Sequence, residues 1–320
     1  MKKFLLCCVM LATFCIGRAG GECELNVSVI PPEAGEKLPA TVADKLTAKL
    51  ATLLSATGVS TSNDDVQFFF TGRFDNASSE RTSGPDPREV INTTLTLYIG
   101  DAGGKKIFAS KTLDLKGVGK SESQAYIKAL ASLNTSRKDI VSFIEEGKTK
   151  ILEYFNNNYN TYLTKARTAM KSRNYEEALY HALQIPDCCV GFSESQALVL
   201  EIYTHQVDYI GQTLLAQAKA AFDADPTGKG AAEAFSFLSQ IDPQSACYNE
   251  AIAYGDKMQK EVKSQWEFEN IQKYKDELAL KHKQMDNEAK LETARIESAK
   301  AIGLAWAKSQ PSTYVYHHWY

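Results

Sequence analysis

Two stretches of this chain repeat one another, and a repeated helical unit limits the possible folds more than any composition does. Leu163, Ala166, Ala169 and Met170 return 52 positions later as Leu215, Ala218, Ala221 and Phe222. After a four-residue insertion, Ala178, Leu179, Gln184, Ile185, Phe192, Glu194 and Ala197 return 56 positions later as Ala234, Phe235, Gln240, Ile241, Tyr248, Glu250 and Ala253. One such unit cannot bury its apolar face alone, so the copies must stack, and a stack offers a surface to partners. Two copies fall short of the roughly three that a self-sufficient stack needs. The helices on either side, at residues 121–155 and in the charged segment after 256, are expected to cap it.

Residues 139–261 read as helix throughout, with one helix near 139–171 and a second near 175–185. Tyr175, Ala178 and Ala182 keep helical spacing in the second. Small residues at Ala166 and Ala178 beside Tyr175 resemble the tetratricopeptide pattern over residues 158–262, in which small side chains let paired helices approach closely. These units are longer than the usual repeat of about 34 residues, so they are tetratricopeptide-like hairpins rather than members. A concave face around Tyr162, Tyr175, Tyr203 and Phe237 is the expected partner-binding surface.

Ahead of the repeats the periodicity changes. Leu25, Val27 and Val29 alternate with polar residues as in a half-buried strand, which Pro31 and Pro32 stop. Residues 41–56 place Val42, Leu46, Leu50, Leu53 and Leu54 on one helical face, with Gly58 positioned to cap it. Residues 66–74 are strongly β-prone, and residues 75–88 read as a polar loop. Residues 90–99 and 106–115 read as a hairpin around Asp101, Ala102, Gly103 and Gly104. Residues 121–133 return to helical period through Ala125, Ala129, Leu130 and Leu133.

This order of elements makes an α+β domain, a single sheet covered by helices. The segments LLSATGV at 53–59, VQFFFTGRF at 66–74, LTLYIGDAGGKKIFASKTLDLKG at 95–117 and SQAYIKALASL at 123–133 together carry a resemblance. Over residues 24–135 the chain resembles the domain shared by the curli-secretion lipoproteins, the lipoprotein activators of penicillin-binding proteins and the N-terminal domain of TolB. The resemblance implies assembly or partner binding at the envelope, without a catalytic constellation in this domain. The polar loop at 75–88 and the lack of a clear lipid-attachment motif depart from that pattern.

Residues 1–19 read as a secretory leader, with Lys2 and Lys3 before an apolar run at 4–17 that is too short to span a bilayer. A lipid anchor would need a Cys directly after a small residue, whereas Cys15 follows Phe14 and Cys23 follows Glu22; of the two, Cys15 is better placed. Membrane association would then come from that anchor or from a partner. The chain carries a formal charge of -3, and the leader removes three basic residues and no acidic one. A mildly acidic chain has no general attraction to nucleic acid.

Beyond the leader the cysteines are Cys23, Cys188, Cys189 and Cys247. Cys188 and Cys189 fall in a loop of the first repeat and Cys247 in the equivalent loop of the second, so a bridge between these loops and buried free thiols are both open. No His sits at ligand spacing near them, and the adjacent pair at His317 and His318 would point apart on a strand, so no metal is expected. The glycines of residues 115–121 lack a phosphate-loop partner, since Asp114 stands where a further Gly is needed; a glycine turn with Ser121 capping a helix is the reading. No cofactor and no catalytic residue is expected, although a site built from distant residues would leave no local motif.

Residues 256–300 alternate in charge sign like a long solvated helix, docked along the repeats or self-associating. Residues 313–320 are aromatic and β-branched, and Tyr314, Tyr316, Trp319 and Tyr320 are candidate contacts for a partner. The same segment could instead fold back on its own domain as an extra strand.

The expected organisation is a leader at 1–19, an α+β domain at 20–137, a helical repeat domain at 138–262, a charged helix at 263–308 and an aromatic tail at 309–320. The expected role is that of an exported envelope scaffold or adaptor for a protein partner, with a structural subunit of an envelope assembly and a secreted hydrolase as alternatives. Intact mass measurement of the chain recovered from cells tests the export reading: the expected first residue is Gly20 or Glu22, and a chain that keeps Met1 contradicts it.

Overall fold

The computed structural model describes residues 25–32, 38–58, 67–262 and 288–309, and shows a mixed α+β chain with the sheet first and helices after it. The expected leader, Cys23, the first part of the charged helix and the aromatic tail with Tyr314, Tyr316, Trp319 and Tyr320 lie outside the described residues. Strand β1 (Val27–Val29) runs parallel to β2 (Phe68–Arg81), with Val27 opposite Phe68 and the helix α1 (Ala40–Ala56) crossing between them. Strands β2, β3 (Glu89–Asp101) and β4 (Lys106–Gly119) follow as an antiparallel meander, giving the order β1-β2-β3-β4.

The alternation along β3 decides which face is covered. Ile91, Thr93, Leu95, Leu97 and Ile99 are buried, while the residues between them look toward solvent. Helix α1 lays Val42, Leu46, Leu50, Leu53 and Leu54 on the buried face and ends at Gly58, whose φ of 68° is the left-handed cap that glycine supplies without strain. Helix α2 (Glu122–Ala129) starts at Ser121, whose side chain accepts from Gln124 N at 3.4 Å, and continues as a 3-10 turn, Leu130–Ser132. Gly117 belongs to β4 rather than to a turn: a Cβ there would sit 1.9 Å from Ala125 O, so its glycine lets α2 lie close on the sheet.

The polar segment at 75–88 is shorter as a loop than its composition suggests. Strand β2 continues to Arg81 and β3 begins at Glu89, with Ser78 opposite Asn92 and Arg81 opposite Glu89 after a register shift between Asp75 and Ser78. Backbone pairing needs no apolar side chains when the strand extends past the core into water, so polar composition misreads this hairpin as loop.

One long helix runs from the sheet into the helical half. Helix α3 (Lys138–Lys171) is 34 residues long; Phe143, Gly147, Ile151 and Phe155 lie on the sheet, and Leu163, Ala166 and Ala169 open the first repeat. Helix α4 (Tyr175–Leu183) follows, then α5 (Phe192–Ala224), α6 (Gly228–Leu238), α7 (Tyr248–Glu261) and, later in the chain, α8 (Glu288–Ser309). One buried cluster runs from the sheet through α3 and α4 to Tyr203 on α5 and Ala299 on α8. A second gathers Leu215, Ala218 and Phe222 of α5 with α6 and α7. No described helix is long and apolar enough to cross a membrane.

Phe155 stands where sheet and repeats meet, its ring 5.5 Å from Phe68, 5.3 Å from Tyr154 and 5.3 Å from Tyr162. Phe155→Ala is expected to cost about 3–5 kcal/mol in urea unfolding. A loss below about 1 kcal/mol would show that the two halves do not share this core.

Candidate functional site

The two copies use their helices in an overlapping way. Each consists of the end of a long helix, a short helix and the start of the next long one, so α5 closes the first copy and opens the second. Polar contacts recur at the sequence offsets. Val190 N donates to Asn156 Oδ1 at 2.9 Å in the first copy, and Ala246 N donates to Asp208 Oδ1 at 2.7 Å in the second. Arg167 pairs with Glu194 at 2.6 Å, and Lys219 with Glu250 at 2.7 Å. These exposed pairs add little stability, but each hydrogen bond fixes where its loop meets the preceding long helix.

Packing at the loops is complementary rather than identical. In the first copy Tyr159 covers Gly191, where a Cβ would be 2.2 Å from the ring. In the second copy the equivalent of Tyr159 is Gly211, facing Ser245 and Cys247. Bulk on the helix in one copy is thus traded for bulk on the loop in the other.

This helical half carries most of the large apolar side chains that face water. Val190 is 79% exposed, Ile210 47%, Tyr209 41% and Ile252 36%. Beside Tyr209 the turn between α3 and α4 overhangs α5, with Arg173 held at φ 60° and its guanidinium carbon 5.2 Å from the Tyr209 ring centre. Together with Thr213, Ala216, Gln217 and Ala220 they line a shallow groove of about 500 Å³. Small residues along α5 leave room there, and the ring and cation supply apolar contact and charge.

A second cleft, of about 680 Å³, separates the sheet from α4, the start of α5 and the end of α8. Leu25, Asn26 and Gln67 form one wall, Gln184, Pro186 and Asp187 another, and Lys300 and Lys308 stand on α8. Gln67 Nε2 donates to Gln184 O at 2.6 Å across the gap. Helix α8 reaches the cleft because Gly303 lets it close on α4, where a Cβ would lie 2.8 Å from Leu183 Cδ1. Trp306 and Tyr180 rings then meet at 4.9 Å. Amides, aromatic rings and two lysines suit hydrogen bonding and stacking, and Asp187 is the single carboxylate among the lining residues.

The hairpin turn next to this cleft holds a buried carboxylate. Asp101 is 1% exposed, and its Oδ1 accepts from Gly104 N at 2.9 Å. Burial pushes its carboxyl up, against the lowering pull of the Gly104 and Gly103 amides and Lys106. Burial, followed by the charge of Asp101, pushes the Tyr180 hydroxyl up as well. Burial also holds the His181 imidazole below its ordinary value, outweighing nearby Glu177.

The residues expected at the partner surface are spread over different surroundings. Tyr162 stacks on Phe155 and Tyr175 meets Tyr209 at 5.9 Å. Tyr203 is buried, with Ser298 of α8 hydrogen-bonded to it, so a partner would meet α8 there rather than this ring. Phe237 is half-buried on the second cluster. Cys189 and Cys247 are buried free thiols, so the two loops are not bridged through them. Burial of Cys189, with Asp187 adding its charge, pushes that thiol up to about 11.

Residue patterns missed the groove at Arg173 and Tyr209 and the cleft at Gln67 and Gln184. Extending the 52-residue offset back to Asn156 and Asp208, and adding Arg167 with Lys219, would have shown the repeated loop contacts. No local signal marks the cleft, whose walls come from segments far apart in the sequence.

No protein-family model matches the chain, and no curated protein matches it. Among solved structures, a minor lipoprotein from Acinetobacter baumannii is similar over 37% of this chain and 92% of its own, at 20% identity and a TM-score of 0.25.

The raised Asp101 carboxyl gives a pH test. Folding favours its protonated form, so its contribution to stability is complete below the ordinary value of 3.8 and is lost as pH rises through the higher folded value. Asp101→Asn keeps an oxygen for Gly104 N and is therefore expected to melt above the parent near neutral pH and level with it in strong acid. An equal gap in Tm at both pH values would contradict this.

Proposed function

We propose that this is an exported adaptor of the bacterial cell envelope, which holds a partner protein through its helical half and acts by binding rather than catalysis. The observation that carries the reading is the exposure of Val190, Tyr209, Ile210 and Ile252 on the two stacked copies. Scattered apolar residues are ordinary on a surface, but Tyr209 also lines a groove with Arg173, and tyrosine and arginine are the side chains that most often dominate binding energy at interfaces. The leader at residues 1–19 supports export, and the aromatic residues Tyr314, Tyr316, Trp319 and Tyr320 belong to the same reading as a second contact.

The sheet half has a different part in this scheme. Its open face and its polar β2–β3 hairpin are wet, while its covered face is filled by α1, α2 and the first half of α3. It serves as the base from which α3 projects the repeats.

Chemical crosslinking in an envelope extract tests the proposal. The double variant Tyr209→Asp with Ile210→Asp is expected to keep its Tm and to lose the crosslinked partner by about tenfold or more, the scale of a central interface residue. Equal capture by parent and variant would overturn the assignment of this surface.

A further inference from the structure

We propose that the groove beside Tyr209 takes an acidic peptide segment of the partner protein, with a carboxylate paired to Arg173 and an apolar side chain laid against the Tyr209 ring. The proposal rests on the reading that the helical half holds a protein partner, and it names the chemistry of that partner.

The turn that carries Arg173 points to a use for its side chain. Helix α3 ends in a cap of two hydrogen bonds, in which Arg173 N donates to Met170 O at 2.9 Å and Asn174 N donates to Ala169 O at 3.0 Å. The residue inside such a cap takes the left-handed region, here at φ 60°, which glycine enters without steric cost and which the Cβ of arginine disfavours. The repeat does not impose this conformation, since 52 positions later stands Asp225, at φ -142°. The chain thus places a long cation where its backbone favours a glycine, and directs the guanidinium to Tyr209.

The charges around the groove are one-sided. Between Glu153 and Glu176 the chain has no acidic residue and four basic ones, Lys165, Arg167, Lys171 and Arg173. Arg167 pairs with Glu194, whereas no carboxylate among the described residues pairs with Lys171 or Arg173. The residues lining the groove include no carboxylate, and on the α5 side they are uncharged. On a chain of net charge -3 this is a local excess of positive charge, and electrostatic complementarity selects an acidic occupant.

The geometry suits a polypeptide. A guanidinium resting on an aromatic ring is pre-organised, and its planar fork matches a carboxylate through two hydrogen bonds. The Tyr209 ring is itself 5.9 Å from that of Tyr175. Ala216 and Ala220 leave room along α5, while the side-chain amides of Gln212 and Gln217 both donate and accept, as a peptide backbone requires. A single chain fits beneath the overhanging turn more readily than a flat anionic bilayer does.

Fluorescence anisotropy with the full-length chain and three labelled heptapeptides, in which leucine alternates with glutamate, glutamine or lysine, tests the proposal. The glutamate peptide is expected to bind about tenfold or more tighter than the others, and to weaken as salt rises. Arg173→Gly is expected to lose about tenfold of that affinity while its Tm stays level or rises by about 2 °C, because glycine relieves the left-handed backbone. Arg173→Asn, which also tolerates this backbone, should bind as weakly, and Arg173→Lys should retain part of the affinity. Equal binding of the three peptides, no binding of the glutamate peptide at about 1 mM, or unchanged affinity in Arg173→Gly would each overturn the assignment. So would a fall in Tm with the loss of binding, which marks a structural role, or Arg173-dependent binding to phosphatidylglycerol vesicles in place of the peptide. Crosslinking in envelope extract separates this proposal from the broader one. Capture lost in the Tyr209→Asp with Ile210→Asp variant but kept by Arg173→Gly overturns the acidic partner and leaves the adaptor reading standing, and capture kept by both overturns the surface itself.

Discussion

Everything in this molecule hangs on α3 being one uninterrupted helix. Its first half is a cover for the sheet, packed by Phe143, Gly147, Ile151 and Phe155, and its second half is the first member of the repeat, packed by Leu163 and Ala166. A helix of 34 residues spans about 51 Å, so the sheet and the first repeat are held at a fixed distance by backbone hydrogen bonds rather than by a hinge. The aromatic group of Phe68, Phe155 and Tyr162 fills the junction and makes the two surfaces one core.

The same economy recurs at α5. A stack of only two copies cannot afford a free helix at either end, because each exposed end would leave an apolar face in water. Sharing α5 between the copies removes one such face, and α8 covers another by closing on α4 through Gly303 and Ala299. The link between Arg295 on α8 and Gln244 in the loop of the second copy extends that cover across both units. What remains open is the outer side of α5 at Tyr209 and Ile210, and the cleft beside Gln67.

How much of this was legible depended on whether the signal was local. Val42, Leu46 and Leu50 announced a buried helical face, Ser121 announced a helix start, and Asp101 to Gly104 announced a turn, because each signal lies within one element. The polar run from Asp75 to Arg81 misled, since strand pairing there is decided by the partner strand and not by its own side chains. Tyr203 is a related case: it is buried and hydrogen-bonded to Ser298, 95 residues away, and no window of sequence contains both.

By itself the sequence determined that the chain would carry a sheet domain ahead of a twofold helical repeat, because periodicity at 2 and 3.6 residues and a recurring pattern are properties of neighbouring residues. Only the tertiary structure decided that long helices are shared between units, that Asn156 and Asp208 hold equivalent loops, and that Leu25 and Asp187 come to line one cleft. Those relations join residues tens to more than a hundred positions apart. Close packing of side chains, where the presence or absence of one Cβ at Gly117 or Gly303 sets how near two elements lie, fixes them, and such fits are written in no local pattern.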